Sequence, residues 1–144
     1  MRAYPDTSVL VSAYVPEAHS RAAEKVLSDF AASLVLCPLQ ELEFTNALEL
    51  AVFRREMSPA RALAVLNKFE GHLKQWLLQP LPVDVFTRAA GMARRHTARY
   101  GARSLDILHV ATAIALGAEV LLTFDKRQRR LAQAERLRVA PRVT

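Results

Sequence analysis

The segment from Arg103 to Arg127, RSLDILHVATAIALGAEVLLTFDKR, constrains the fold more than any other part of the chain. Residues 105–116 are almost all apolar apart from Asp106, so a helix over this range has no polar face for water and should be buried on most sides. An ionised carboxylate there is costly unless a cation or several hydrogen bonds compensate for the lost solvation. The sequence therefore predicts a partner for Asp106.

A short strand should follow this helix. Gly117 ends the helix, residues 119–124 form an apolar run, and Asp125 comes where the strand should stop. In a parallel α/β sheet the carboxyl ends of the strands line one edge, where ligand chemistry gathers. Capping explains the two carboxylates equally well, because Ser104 as an N-cap puts Asp106 in the first helical turn and Asp125 can cap the next helix. Each carboxylate taken singly leaves both interpretations open.

Length and composition favour one domain. The chain has 144 residues, of which 51% are hydrophobic, and this supplies one sizeable core and not comfortably two, so residues 1–144 are predicted to form a single domain. The one cysteine, Cys37, lies in an apolar run and allows no internal disulfide framework. A secretory signal pattern and an apolar run of membrane-spanning length are both missing, which predicts a cytoplasmic protein.

The basic excess is concentrated in two segments. Twenty Lys and Arg against fourteen Asp and Glu give a net charge of +6. Clusters of this kind suit a polyanion such as nucleic acid, and ordinary solvated helix faces explain them as well. The first cluster comprises Arg94, Arg95, Arg99 and Arg103, and the second comprises Lys126, Arg127, Arg129, Arg130, Arg136 and Arg138.

Hydrophobic periodicity predicts strands and helices along the rest of the chain. Ser58 and Pro59 form a strong helix start, with an N-cap followed by proline at the first helical position. Asp84 can cap a helix that Gly101 terminates. The predicted strands are 1–5, 33–36, 77–81, 119–124 and 137–140; a helical run starts at Val9, and further helices cover 20–30, 39–55, 59–76, 85–100, 105–116 and 126–135.

Four carboxylates can face one edge of the predicted sheet. On the helix after the second strand, only one of two glutamates should point to that edge, and Glu41 points elsewhere. The four are Asp6 and Asp125 after strands, Asp106 at a helix start, and Glu43.

Crowded carboxylates need a cation, because without one they repel each other and either take up protons or move apart. Hard oxygen ligands suit Mg²⁺ or Mn²⁺, which keep several waters and complete their coordination with substrate phosphates. A divalent metal flanked by Arg and Lys is what hydrolysis of a phosphodiester requires, since the metal activates water and basic residues hold the nucleic acid backbone.

Four blocks of sequence together resemble the PIN-domain family, in particular its VapC-type toxin ribonucleases. The blocks are YPDTSVLV, ELEFTNAL, RSLDILHVATAIALGA and LLTFDKR, in this order over nearly the whole chain. The resemblance implies a three-layer α/β/α sandwich with a central, mainly parallel sheet and an endoribonuclease that depends on Mg²⁺ or Mn²⁺. It further implies the toxin of a bacterial type II toxin–antitoxin pair, with RNA as the substrate and a cognate antitoxin protein as a partner.

The resemblance also assigns roles to individual residues. Two departures from the family pattern are Pro5, where an aliphatic residue is commoner, and KRQRR after Asp125, where a leucine commonly follows early. The implied catalytic and metal-site carboxylates are Asp6, Glu43, Asp106 and Asp125, with Ser8, Asn46 and Thr123 as supporting polar residues beside them.

Two further expectations concern residues near these carboxylates. His109 lies three residues after Asp106 and shares its helix face, so we interpret it as a packing residue or a support for a ligand rather than a general base. Arg127, Arg129 and Arg130 are the arginines that follow Asp125 most closely, and we expect them to contact the RNA backbone.

A homodimer is predicted from the helical hairpin between Glu41 and Trp76, whose apolar stripe exceeds what one sheet face is expected to cover. Two other functions stay open. One is a catalytically idle PIN-like module that binds RNA or supports assembly, and the other is a receiver-like phosphoacceptor domain with Asp6 at the end of its first strand. Four intact acidic positions favour the enzyme over the idle module.

Overall fold

The computed structural model describes residues 1–142. Within this range, helices and short strands follow each other in the predicted order, with one turn of 3-10 helix at Ala31–Ser33. No helix in it is long and apolar enough to cross a membrane. The strands are β1 Ala3–Pro5, β2 Val35–Leu36, β3 Leu77–Leu78, β4 Val120–Leu122 and β5 Arg138–Ala140; the helices are α1 Thr7–Tyr14, α2 Ser20–Asp29, α3 Pro38–Phe53, α4 Pro59–Leu73, α5 Val85–Tyr100, α6 Ser104–Ala115 and α7 Lys126–Ala134.

All strand pairs in the described residues are parallel. One sheet has the order β1-β4-β5, a second pairs β2 with β3, and a parallel bridge between Ala3 and Leu34 joins the two. The resulting order is β3-β2-β1-β4-β5, so the carboxyl ends of all five strands lie at one edge. The predicted α/β/α sandwich on a central, mainly parallel sheet is confirmed.

The two faces of the sheet carry separate cores, because side chains alternate along each strand. Ala3 and Leu122 belong to a core formed with α1, α2, α3 and α4, where Phe44 stacks on Phe69 with ring centroids 3.9 Å apart. Tyr4 and Leu121 point the other way, into a core formed with α5, α6 and α7. The mostly apolar helix α6 packs in this second core, with eight of its residues buried.

Helix boundaries differ from the sequence prediction by one to three residues, and two of these differences change the assigned position of a named residue. Ser104 is not the N-cap of α6, because the helix starts with it and Arg103 takes the N-cap position. The backbone N–H of Arg103 donates to a carboxylate oxygen of Asp106 at 3.3 Å, so Asp106 lies in the first turn as expected. Helix α4 ends at Leu73, three residues before Trp76, which packs against the first core from outside the helix.

Strand β4 is shorter than predicted and ends at Leu122. The reason lies in Thr123, whose hydroxyl accepts a hydrogen bond from the backbone N–H of Asp125 at 3.0 Å. This local bond turns the chain out of the strand and into α7. The turn brings Asp125 back to the edge where β1 also ends.

A buried glutamine accommodates the unusual Pro5. Gln40 is fully buried, and its side-chain amide donates to the carbonyl oxygen of Pro5 at 2.7 Å. Its amide oxygen accepts from the backbone N–H of Cys37 at 2.6 Å. The backbone N–H of Asp6 donates to the carbonyl oxygen of Leu122 at 2.9 Å. Gln40 therefore fastens the first turn of α3 to the end of β1, immediately before Asp6.

Replacing this glutamine tests the link. Gln40→Leu leaves a buried N–H and a buried carbonyl without their partners, so the free energy of unfolding should fall by about 2–4 kcal/mol. Urea denaturation followed by circular dichroism measures it. The matched control is Gln133→Leu on an exposed face of α7, which should change stability by less than about 0.5 kcal/mol. Equal effects of the two substitutions would contradict the role of Gln40.

Candidate acidic site

A cavity of about 450 Å³ opens at the carboxyl edge of the sheet, where β1, α1, α3, α6 and α7 meet. All four carboxylates singled out from the sequence line it: Asp6, Glu43, Asp106 and Asp125. Glu41, the alternative glutamate, does not belong to its lining. The chain therefore brings together acidic groups that are separated by more than one hundred residues.

Asp6 is the most deeply buried of the four, with 3% of its surface exposed. One oxygen accepts hydrogen bonds from the Ser8 hydroxyl at 2.6 Å and from the backbone N–H of Val9 at 3.0 Å, so Asp6 is also the N-cap of α1. The other oxygen accepts from the Thr123 hydroxyl at 2.5 Å. Burial raises the pKa of Asp6 above its ordinary value even though these hydrogen bonds act in the opposite direction.

Asp106 and Asp125 both serve as helix-cap partners while they line the cavity. One oxygen of Asp125 accepts from the backbone N–H of Gln128 at 2.9 Å, and Asp106 uses one oxygen for the backbone and side chain of Arg103. Within residues 1–142 the second oxygen of each has no hydrogen-bond partner in the protein. The capping and the ligand interpretations are therefore compatible, because each uses a different oxygen.

Glu43 is held through one oxygen as well. His109 Nε2 contacts Oε1, and the Thr7 hydroxyl donates to the same atom at 2.9 Å. Burial acts to raise the pKa of Glu43, but the hydrogen bond from His109 and its electrostatic effect, together with the Thr7 hydroxyl, outweigh it and lower the pKa below its ordinary value. Glu43 thus stays ionised, and Oε2 has no protein partner within the described range.

The supporting residues divide into two groups. Ser8 and Thr123 contact Asp6 directly. Asn46 shares a side of α3 with Glu43 but is exposed and lines a neighbouring groove instead of the cavity. Their three-residue separation is about 4.5 Å along the helix axis, and Asn46 lies past the cavity rim.

The three arginines after Asp125 differ in their surroundings, and none of them lines the cavity. Arg127 and Arg130 are exposed. Arg129 is partly buried, and its guanidinium donates to the backbone carbonyls of Thr123 at 2.7 Å and Pro141 at 2.8 Å. Arg103, from the other basic cluster, does line the cavity and lies 3.4 Å from Asp106.

Sequence reasoning missed two side chains around the site. Thr7 binds Glu43, and Tyr4 lies behind it with its hydroxyl 2.8 Å from Nδ1 of His109. The alternation of side chains along β1 places Tyr4 on the α6 side of the sheet, and this was the only sequence signal for its position. No local pattern pairs it with His109, which is 105 positions away.

A model of the PIN domain matches residues 3–134 of the sequence. The chain belongs to the PIN-domain family. The family membership predicted from the four sequence blocks is thereby confirmed. No curated protein sequence matches the chain.

Solved structures share this PIN fold at low sequence identity. FitAcB from Neisseria gonorrhoeae has a TM-score of 0.73 and 17% identity, covering 95% of each chain. VapBC2 from Rickettsia felis, bound to a DNA fragment from its promoter, has a TM-score of 0.69 and 17% identity, covering 97% of this chain and 98% of that one. VapC20 from Mycobacterium tuberculosis, a Sarcin-Ricin loop cleaving toxin, has a TM-score of 0.62 and 16% identity, covering 89% and 93%.

The donor set of this PIN domain fits a hydrated divalent cation. Three of the four carboxylates each leave one oxygen without a protein partner within residues 1–142, and all four line one cavity. In the same range, no three Asp, Glu, His or Cys side chains stand close enough together to hold one ion directly. Mg²⁺ keeps several of its waters in protein sites, so one or two direct carboxylate bonds suffice for it.

The raised pKa of Asp6 predicts a pH dependence of stability without metal. Because the folded pKa lies above the unfolded one, the stabilisation present at low pH is lost as the pH rises through the folded pKa. In EDTA, Asp6→Asn should therefore gain stability relative to the parent as the pH rises from about 4, the ordinary pKa of an aspartate, through the raised pKa of folded Asp6. Urea denaturation at several pH values measures this difference.

Asp29→Asn on α2 is the matched control for this measurement, because Asp29 lies in an exposed pair with Lys25. This control should show no such trend with pH. A difference between the parent and Asp6→Asn that is constant over the same pH range would rule out the raised pKa.

Proposed function

We propose that this protein is a divalent-metal-dependent endoribonuclease and the toxin of a type II toxin–antitoxin pair. The observation that carries the proposal is the cavity lined by Asp6, Glu43, Asp106 and Asp125 at the carboxyl edge of a parallel sheet. A set of hard oxygen donors of this kind suits Mg²⁺, with Mn²⁺ as the second candidate. The proposed roles of Ser8 and Thr123 are to hold the carboxylate of Asp6.

The chemistry follows from the proposed metal. A bound divalent ion lowers the pKa of a coordinated water and stabilises negative charge on the phosphate under attack. The four carboxylates would hold that ion directly or through its waters, and the free oxygens of Glu43, Asp106 and Asp125 would be available to it. Arg103, exposed at the cavity rim, supplies a positive charge for a phosphate next to the one that is cleaved.

Structural relatives support RNA as the substrate and an antitoxin as the partner. VapC20 is described as a toxin that cleaves the Sarcin-Ricin loop, and this supports an RNA target for the present chain. A toxin–antitoxin complex from Klebsiella pneumoniae has a TM-score of 0.63 and 15% identity, over 88% of this chain and 89% of that one. It supports a protein partner that covers the toxin.

Substitution of the acidic residues tests the enzyme directly. With Mg²⁺ and total RNA as substrate, Asp106→Asn should lower the cleavage rate by about 100-fold or more while the circular dichroism spectrum is unchanged. The same loss is expected for Glu43→Gln, because it neutralises a proposed ligand. Excess EDTA should stop cleavage by the parent.

The matched control for Glu43→Gln is Glu41→Gln, two residues earlier on the same helix and outside the cavity lining. It should retain the activity of the parent. Loss of activity in Glu41→Gln alone would mean that the wrong glutamate has been assigned. RNA that is bound but never cut, with or without Mg²⁺, would favour the idle RNA-binding module.

RNA affinity should come mainly from basic residues outside the acidic cavity, and the structure separates these into two kinds. We expect exposed Arg127 and Arg130 to contact phosphates, so that replacing both with Ser weakens binding and reduces the slope of log affinity against log salt by about 0.7 for each lost contact. Arg129→Ser should instead lower the free energy of unfolding by about 1–3 kcal/mol, because it removes the bonds to two carbonyls.

Fluorescence anisotropy with a labelled RNA, measured over a range of salt concentrations, tests this division. All proteins in this titration also carry Asp106→Asn, so that the RNA is not cleaved during the measurement. If the Arg127 and Arg130 double variant binds more weakly but keeps the salt slope of the parent, these residues act through folding or partner contacts instead of phosphates.

We also propose a homodimer. Large apolar side chains on the hairpin of α3 and α4 remain exposed, with Phe53 83% and Leu42 67% accessible. Light scattering should give about twice the chain mass of 16.1 kDa at micromolar concentration. Phe53→Glu should shift the protein toward the monomer, because it introduces a charge into an apolar contact, whereas Glu49→Gln on the same helix should not. A parent mass near that of one chain would contradict the dimer.

A further inference from the structure

Buried side chains at the acidic cavity converge on one oxygen of Glu43, His109 and Thr7 by contact and Tyr4 through His109. Tyr4 is fully buried and His109 is 3% exposed. The Tyr4 hydroxyl lies 2.8 Å from His109 Nδ1, and Nε2 of the same ring contacts Glu43 Oε1. The Thr7 hydroxyl donates to that same oxygen at 2.9 Å. One carboxylate oxygen on α3 is thus fixed by residues from β1, α1 and α6.

The direction of these hydrogen bonds follows from the charge states at the two ends. Burial, and next the neighbouring Cys37 thiol, raise the pKa of Tyr4 well above its ordinary value, so its hydroxyl keeps its proton. The Cys37 sulfur lies 3.8 Å from that hydroxyl, which makes it a weaker acceptor than the ring nitrogen at 2.8 Å. Glu43 is ionised and can only accept. With a single proton on the His109 ring, Nδ1 therefore accepts the hydrogen bond from the Tyr4 hydroxyl and Nε2–H donates one to Glu43.

We propose that Tyr4 and His109 are positioning residues for Glu43. Tyr4 determines which ring nitrogen of His109 carries the proton, and His109 then holds Oε1 so that Oε2 remains available to a divalent cation. This inference rests on the proposed metal-dependent function. It assigns His109 a role without direct contact to substrate, and it adds Tyr4, a residue that strand position alone would class as core.

The chain contains an internal control for a plain packing role. Tyr14 and His72 form a second pair with the same atoms, the tyrosine hydroxyl and Nδ1, at 2.5 Å. This pair lines a separate cleft beside Trp76 and is absent from the lining of the acidic cavity. If a tyrosine–histidine bond only stabilised the core, removing either hydroxyl would have comparable consequences at the acidic site.

The first experiment reads the proton position without metal or activity. Long-range ¹H–¹⁵N correlation spectra of ¹⁵N-histidine-labelled protein distinguish a ring protonated at Nε2 from one protonated at Nδ1, and His109→Gln identifies the signal. We expect Nε2–H on His109 in the parent and in Tyr14→Phe, and a new Nδ1–H population in Tyr4→Phe. A proton on Nδ1 of His109 in the parent, in a neutral or a doubly protonated ring, would overturn the proposal.

The second experiment measures Mn²⁺ affinity by calorimetry. Residues that support a metal ligand typically change affinity about 10- to 100-fold, so His109→Leu should weaken binding by about that factor and Tyr4→Phe by about 10-fold. His109→Gln should recover most of the loss, because its side-chain amide offers an N–H to Glu43. Tyr14→Phe should bind Mn²⁺ as the parent does.

The outcomes separate this inference from the proposed function. If the parent binds no Mn²⁺, the metal-dependent function fails, while the NMR experiment still decides whether Tyr4 sets the proton position. If the parent binds Mn²⁺ and folded Tyr4→Phe binds it equally well, the positioning role is overturned. Tyr4→Phe removes one oxygen atom and keeps the ring, so it carries the test even if His109→Leu does not fold.

Discussion

The architecture depends on keeping the carboxylate of Asp6 almost completely out of water at the end of a central strand. A buried carboxylate is costly, and this one is tolerated because Ser8, Val9 and Thr123 direct three donors at it. Two of the donors come from the first turn of α1 and the third comes from the end of β4. The parallel pairing of β1 with β4 therefore has two effects. It forms the backbone hydrogen bonds of the sheet, and it brings the Thr123 hydroxyl to the carboxylate of Asp6.

Asp106 and Asp125 also serve two purposes, because each accepts a hydrogen bond at a helix N-terminus and also lines the acidic cavity. A cap fixes one oxygen of Asp125 or Asp106 against a helix N-terminus, where the helix dipole favours an anion. The second oxygen is then oriented without any additional contact. The cap hydrogen bonds therefore hold the acidic side chains in place at the cavity. This explains why the sequence patterns for helix capping and for metal ligands fall on the same residues.

Much of the fold was predictable from local patterns. Helical spacing, the Ser58-Pro59 start and the Gly101 stop depend only on residues close in sequence, and the structure has all three. The gathering of Asp6, Glu43, Asp106 and Asp125 was predictable because parallel strands share a carboxyl edge. The contact between His109 and Glu43 was not, because it depends on the depth at which α6 packs beside α3. Arg129 likewise looked like its exposed neighbours, and only the position of β5 brings the carbonyl of Pro141 within its reach.

The central position of β1 has a consequence for synthesis of the chain on the ribosome. β1 is made before β4, its partner in the sheet, which begins 117 positions after Ala3, at Val120. Until that segment leaves the exit tunnel, Asp6 lacks the Thr123 hydroxyl and its backbone lacks the Leu122 carbonyl. Long-range parallel pairing of this kind forms slowly, since the intervening chain must close a large loop first. A nascent chain thus carries Asp6, Glu43 and Asp106 before the acidic cavity can form, and the cavity is assembled only after residues 120–125 have left the tunnel.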